Sequence, residues 1–193
     1  MEEYVAETWL VGNFRVKLIA DTDAESPDNW NGGEELGIVT TRNRYFELQQ
    51  GGFKSPDEVN PNNKDNKDTL RKYWVFPLYM YVHSGVSLSL GNSEYPFNDR
   101  WDAGQVGYVF ASKKTWRLSD SARKACQSYV DTWNMYLSGD VWGYVIETLS
   151  DDDTDGENVD SCWGFYGLDF ARKEAQDAAK YYQDEAIKAE GHL

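Results

Sequence analysis

The chain has 193 residues and a formal net charge of −14, from 33 acidic residues against 19 Lys and Arg. Its 40% hydrophobic content, with eight Trp, thirteen Tyr and eight Phe, excludes a disordered acidic tail and gives enough apolar mass for a core. No basic stripe exists to neutralise phosphates, which argues against direct nucleic-acid binding. No stretch of eighteen uninterrupted apolar residues exists either, which excludes a membrane-spanning helix.

The first strand signal is Phe14-Arg15-Val16-Lys17-Leu18-Ile19-Ala20, where apolar and basic residues alternate as in a half-buried strand. An acidic loop follows, from Asp21 to Gly32-Gly33. Gly37 to Leu48 reads as a second strand. Residues 49–68 are polar, with Gly51-Gly52 and two prolines, and predict a long exposed loop. Tyr73 to Leu90 is the strongest strand signal, with Pro77 and Ser84-Gly85 placed to bend or divide it. Glu94 to Gly104 reads as a Trp-containing loop and Gln105 to Ala111 as another strand.

Asp120 to Leu137 has helical spacing of Ala122, Cys126, Tyr129 and Trp133, with Ser119 as N-cap and Gly139 as C-cap. Val141 to Leu149 and Ser161 to Tyr166 read as a hairpin tipped by Asp155-Gly156. Leu168 to Glu190 closes the chain as a helix with an alanine-rich inner stripe. These elements predict an α+β fold, a mostly antiparallel sheet packed against two helices at about 120–137 and 168–190. The length fits one domain over residues 1–193.

The charge is segregated. Between Lys17 and Arg42 there is no base, and the stretch holds Asp21, Asp23, Glu25, Asp28, Glu34 and Glu35. Between Lys124 and Arg172 there is again no base, and that stretch holds ten acids, among them Glu147, Asp151, Asp152, Asp153, Asp155, Glu157 and Asp160. Clustered like charges repel, and solubility alone does not require clustering. Asp151, Asp153, Asp155 and Glu157 alternate, so in an extended strand they share one face at about 6.6–6.8 Å spacing, comparable to the phosphate pitch of DNA.

Other chemistry finds little support. Asp151, Asp153, Asp155 and Gly156 match the opening of a calcium loop, but its closing position is Cys162 and no helix precedes it, so no metal site is expected. His83 with Cys162 and nearby acids is the sole candidate for nucleophilic chemistry, and nothing in the spacing supports it. Cys126 and Cys162 are expected as reduced, buried thiols. No catalytic residue and no cofactor are assigned.

Four segments carry a resemblance: Leu78-Tyr79-Met80-Tyr81-Val82-His83-Ser84-Gly85, Trp101-Asp102-Ala103-Gly104-Gln105-Val106-Gly107-Tyr108-Val109, Tyr136-Leu137-Ser138-Gly139-Asp140-Val141-Trp142-Gly143-Tyr144 and Ser161-Cys162-Trp163-Gly164-Phe165-Tyr166-Gly167. They resemble a family of uncharacterised proteins from bacteriophages and other mobile elements, over about residues 73–167. The resemblance implies a viral or mobile-element origin and carries no functional residue over.

The expected function is that of a phage-type counter-defence protein, anti-CRISPR or anti-restriction. It would present an acidic, DNA-mimicking surface to a basic host protein or nucleoprotein complex. The partner-binding residues would be Asp21, Asp23, Glu25, Asp28, Trp30, Glu34, Glu35, Glu147, Asp151, Asp152, Asp153, Asp155, Glu157 and Asp160. This requires the two acidic segments to converge in space. The acidic start Met1-Glu2-Glu3-Tyr4 lacks a secretory pattern, so the cytoplasm is expected. The alternatives are a small enzyme, or a structural phage protein whose acidity serves only solubility.

Overall fold

A computed structural model describes residues 4–30, 34–91, 103–149 and 156–190, without the side chains of Asn29, Trp30 and Glu190. In chain order the elements are β1 (Val5–Val11), β2 (Phe14–Ala20), β3 (Leu36–Thr40), α1 (Lys67–Lys72), β4 (Tyr73–Val82), β5 (Val86–Leu90), β6 (Ala103–Ser112), α2 (Ser119–Ser138), β7 (Val141–Thr148), β8 (Asn158–Tyr166) and α3 (Leu168–Glu190). The fold is α+β, with two four-stranded antiparallel sheets.

The sequence suggests one domain; the chain folds as two compact units. Residues 1–25 and 139–193 form a terminal unit, and residues 26–138 are inserted into it. The cause is strand pairing: β2 takes its second partner from β7, beyond the whole insertion, so the intervening residues build a sheet of their own.

The terminal unit has strand order β1-β2-β7-β8. Alternation in β2 sends Val16 and Leu18 to one face, beside Ile146 and Tyr144, and Arg15 and Lys17 to the other. α3 covers the first face. Its fully buried Ala171, Ala175 and Ala179 meet Phe14, Val16, Leu18, Tyr144 and Ile146, and their small side chains let the helix lie close to the sheet. Both halves of α3 are tied down. Asp140 Oδ1 accepts from Leu168 N at 3.2 Å, placing a carboxylate at the helix N-terminus. Gln183 Oε1 accepts from Asn13 N at 3.0 Å, in the two-residue turn between β1 and β2.

The inserted unit has strand order β3-β6-β4-β5. α2 packs Ala122, Cys126, Tyr129, Val130 and Trp133 over Ile38, Leu78, Leu88 and Val109. The opposite face carries Val39, Val59, Tyr108 and Phe110. There Phe53, Tyr73 and Phe110 meet edge to face at 5.1–5.7 Å. Residues 49–68 are therefore a covering layer over that face. Val59 is fully buried, and Asn66 Nδ2 donates to Asp57 O at 2.6 Å and Asn60 O at 3.0 Å.

Several boundaries differ from the sequence reading. β1 was not legible. The strand expected over Gly37–Leu48 ends at Thr40, because the chain folds back and Thr40 N donates to Leu48 O at 2.9 Å. Ser84-Gly85 divides the Tyr73–Leu90 stretch into a hairpin, while Pro77 stays inside β4, beyond the last β4–β5 pair, Leu78↔Leu90. Gly139 ends α2 at φ +73, as expected of a C-cap glycine. Ser119 lies inside α2, and Ala122 N donates instead to Leu118 O. The loop residues 94–102 lie outside the described residues, apart from Ala103 and Gly104, which open β6.

Candidate functional site

Divided by unit, the formal charge separates completely. The terminal unit carries twenty acids and six bases, and the inserted unit thirteen of each, so the entire −14 belongs to the terminal unit. Several of its bases are already engaged. Lys17 pairs with Glu147 at 3.0 Å, Lys173 with Asp177 at 2.9 Å and Lys188 with Glu185 at 2.7 Å. Arg172 bridges Asp169 and Glu7. Three of these bases stand on α3 and meet acids of the same helix, so the uncompensated charge falls on the turn after β2 and on the β7–β8 segment.

The expected site residues take different places. Asp21 is half-buried and its carboxylate is used locally: Oδ1 accepts from Asp23 N at 3.2 Å and Oδ2 from Gly164 N at 3.0 Å. Asp23 and Glu25 are exposed, and the Glu25 carbonyl accepts from the Tyr166 hydroxyl. Asp28 belongs to the inserted unit, in a short 3-10 turn (Pro27–Trp30), and accepts from the Ser26 hydroxyl. The Trp30 side chain lies outside what the structure describes. Glu34 and Glu35 are exposed in the inserted unit, where Glu35 Oε2 accepts from Thr115 Oγ1 at 2.7 Å. Both border an open cleft of about 470 Å³ with Gly51, Gly52, Tyr73 and Ser112.

Glu147 corrects the sequence reading. It is 8% exposed and held by Lys17, so it is a buried ion-pair member and not a surface acid. The reason is topological: β7 is an inner strand, flanked by β2 and β8. Glu157 is exposed at the entry to β8, its carbonyl accepting from Thr148 N at 3.0 Å. Asp160 is half-buried and accepts from the Tyr144 hydroxyl at 3.2 Å. Burial, and then the Asp160 charge, push the Tyr144 phenol well above its ordinary range, so it stays a donor. Asp151, Asp152, Asp153 and Asp155 lie outside the described residues, as do Trp101 and Asp102 of the second resemblance segment.

Among the described acids of the terminal unit, Asp21 and Glu157 stand at opposite ends of the β2–β7 pair. The β2–β7 register runs from Phe14↔Thr148 to Ala20↔Trp142. Asp21 continues from the Trp142 end, with its N–H donating to Val141 O at 2.9 Å. Glu157 stands at the Thr148 end. Seven residue steps of strand separate them, about 23 Å. Asp28, Glu34 and Glu35 belong to the other unit.

The residues of the alternative site belong to different units. His83 is exposed in the β4–β5 turn of the inserted unit, stacked on Tyr81 at 6.1 Å. Cys162 belongs to the terminal unit and is exposed, against the expectation of burial, because β8 is an edge strand. Cys126 is fully buried, and desolvation pushes its thiol up to about 12. Among the described residues no group of three or more His, Cys, Asp or Glu is placed to hold a metal ion.

No family model matches the sequence, and no curated protein and no solved structure shows significant similarity to it. Sequence reasoning missed the division of charge between units, because its signal is spatial. It also missed the Asp140 cap and the Tyr144–Asp160 contact, which bring together residues of different elements.

Proposed function

We propose that this chain acts by binding, with its acidic terminal unit as the contact surface and a basic nucleic-acid-binding protein as its partner. The observation that carries this is the partition of charge: −14 on one unit and zero on the other. A charge needed only for solubility has no reason to spare the larger unit. Concentrating it costs self-repulsion and gains a field that steers a basic partner and speeds association. A host restriction nuclease or CRISPR effector is the partner class that fits, since such proteins carry positively charged channels for nucleic acid. The phage-type counter-defence reading is kept in this form.

The test is competition. The protein is mixed with restriction and CRISPR effector complexes, and their DNA binding is followed at low and high salt. Inhibition that weakens as salt rises, and that falls on reversing Asp23 and Glu25 or Glu157 to Lys, supports the reading. Inhibition unaffected by salt and by these reversals, or lost only on reversing acids of the inserted unit, contradicts it.

A further inference from the structure

The two sheets treat their edges differently. In the inserted unit both edge strands are closed by amide side chains. Gln50 bonds both sides of Ile38 in β3: its Oε1 accepts from Ile38 N at 2.8 Å, and its own N–H donates to Ile38 O at 3.1 Å. Asn134 of α2 does the same for β5, its Oδ1 accepting from Leu88 N at 2.7 Å and its Nδ2 donating to Leu88 O at 2.9 Å. Open edges template pairing with other chains, and natural proteins guard them with such covers, with lysine, with proline or with bulges.

β8 is an edge strand of nine residues with no lysine and no proline, and with a side-chain cover at Gly164. In β7 the odd residues bond β2, as Asp21 N to Val141 O and Leu149 N to Asn13 O show, and the even residues bond β8, as Thr148 N to Glu157 O shows. The β8 residues opposite even positions, Asp160 and Cys162, therefore turn their backbone groups inward. Ser161, opposite Val145, turns its N–H and C=O outward. Ser161 is exposed. Farther along, the bulge at Trp163-Gly164 ends regular pairing, and Gly164 N is taken by Asp21. A second bulge, at Val159, interrupts pairing on the other side, so the regularly paired open stretch is Asp160 to Cys162.

The surroundings select what can pair there. Asp160 belongs to the open stretch and Glu157 precedes it, and a second copy of β8 would bring the same charges opposite them, which is repulsive. Trp163 stands beyond it, 44% exposed, its ring lying where a Cβ on Gly143 would sit. The other edge strand, β1, has Glu7 as its one acid, and Arg172 already holds it.

We propose that the free edge of β8, centred on Ser161 between Asp160 and Cys162, accepts an extended basic segment of the partner protein as an added fifth strand. Backbone bonds to Ser161 would supply register, and Glu157 and Asp160 would select Lys or Arg side chains. This rests on the acidic-unit reading and names how that unit engages its partner.

The test uses the full chain and a synthetic peptide alternating Lys and Thr, matched to the nine residues of β8. A second peptide has alternate backbone amides methylated. The first peptide is expected to bind and to protect the Ser161 amide from hydrogen exchange. Methylation, or Ser161→Pro, is expected to weaken binding by about tenfold. An edge strand tolerates proline where its N–H faces solvent, and Ser161→Lys serves as the second variant if the first does not fold. Equal binding of both peptides, unchanged by either variant, overturns strand addition while the acidic-unit reading stands. No binding of either peptide at low salt overturns both.

Discussion

Lys17 Nζ lies 3.0 Å from Glu147 Oε1, joining two strands on the sheet face that α3 does not cover. The Glu147 carboxylate is nearly buried, and its second oxygen has no hydrogen-bond partner. A buried charge that loses its partner costs more than the pair contributes. Lys17→Met is expected to destabilise the chain by about 3 kcal/mol in chemical denaturation, and Lys17→Met with Glu147→Leu to recover most of that loss. A double variant no more stable than the single one would mean that the pair is not coupled.

Gly12 and Gly139 separate two effects that are usually confounded. Both have positive φ, +57 and +73. A Cβ on Gly139 meets nothing within 4 Å, whereas one on Gly12 would lie 1.7 Å from Gln183 Oε1. Gly139→Ala is expected to cost about 1 kcal/mol from backbone strain alone. Gly12→Ala is expected to cost more, about 2–3 kcal/mol, because it also displaces the side chain that ties α3 to the β1–β2 turn. Thermal unfolding of the two variants, with Gln183→Ala added to each, checks this: the addition should offset part of the Gly12→Ala cost and none of the Gly139→Ala cost.

The two cysteines should differ in reactivity. Cys126 is buried under α2 with its thiol pushed up to about 12, while Cys162 is exposed on β8. Alkylation of the native protein at about pH 8 is expected to label Cys162 alone, with Cys126 reacting only in denaturant. Mass spectrometry of the digested product reads this directly.

Glu7 on β1 and Arg172 on α3 give a defined pH dependence. Hydrogen bonds from Arg172 hold the Glu7 carboxyl below its ordinary 4.5. A lowered folded-state value means that the interaction stabilises the fold fully above 4.5 and is lost as pH falls through the lowered range. Glu7→Gln is therefore expected to lower Tm at neutral pH, with the difference from the parent shrinking below 4.5 and vanishing in stronger acid. A difference independent of pH would assign it to packing.

What was legible in the sequence is what local pattern encodes. Phe14–Ala20 alternates and is a strand; Ala171, Ala175 and Ala179 recur at helical spacing and are buried. β1 was missed because Glu7 and Thr8 interrupt its apolar residues, and Glu7 makes sense only beside Arg172, 165 residues away. The segment 49–68 looked like a free loop because its composition is polar, yet Phe53 and Val59 suffice to fasten it over the sheet. Cys162 sits in an aromatic run that reads as buried, and only its place on an edge strand exposes it. The acidic runs were visible as runs. That the net charge belongs to one unit was not, because it depends on β2 pairing with β7 from the far end of the chain.

The most direct measurement is an amide-shift titration of the isotope-labelled full chain with a basic nucleic-acid-binding domain, at low and then raised salt. Shifts are expected to concentrate in residues 1–25 and 139–190 and to fade as salt screens the charge. Shifts centred on residues 26–138, or binding indifferent to salt, would contradict the assignment of the acidic unit as the contact surface.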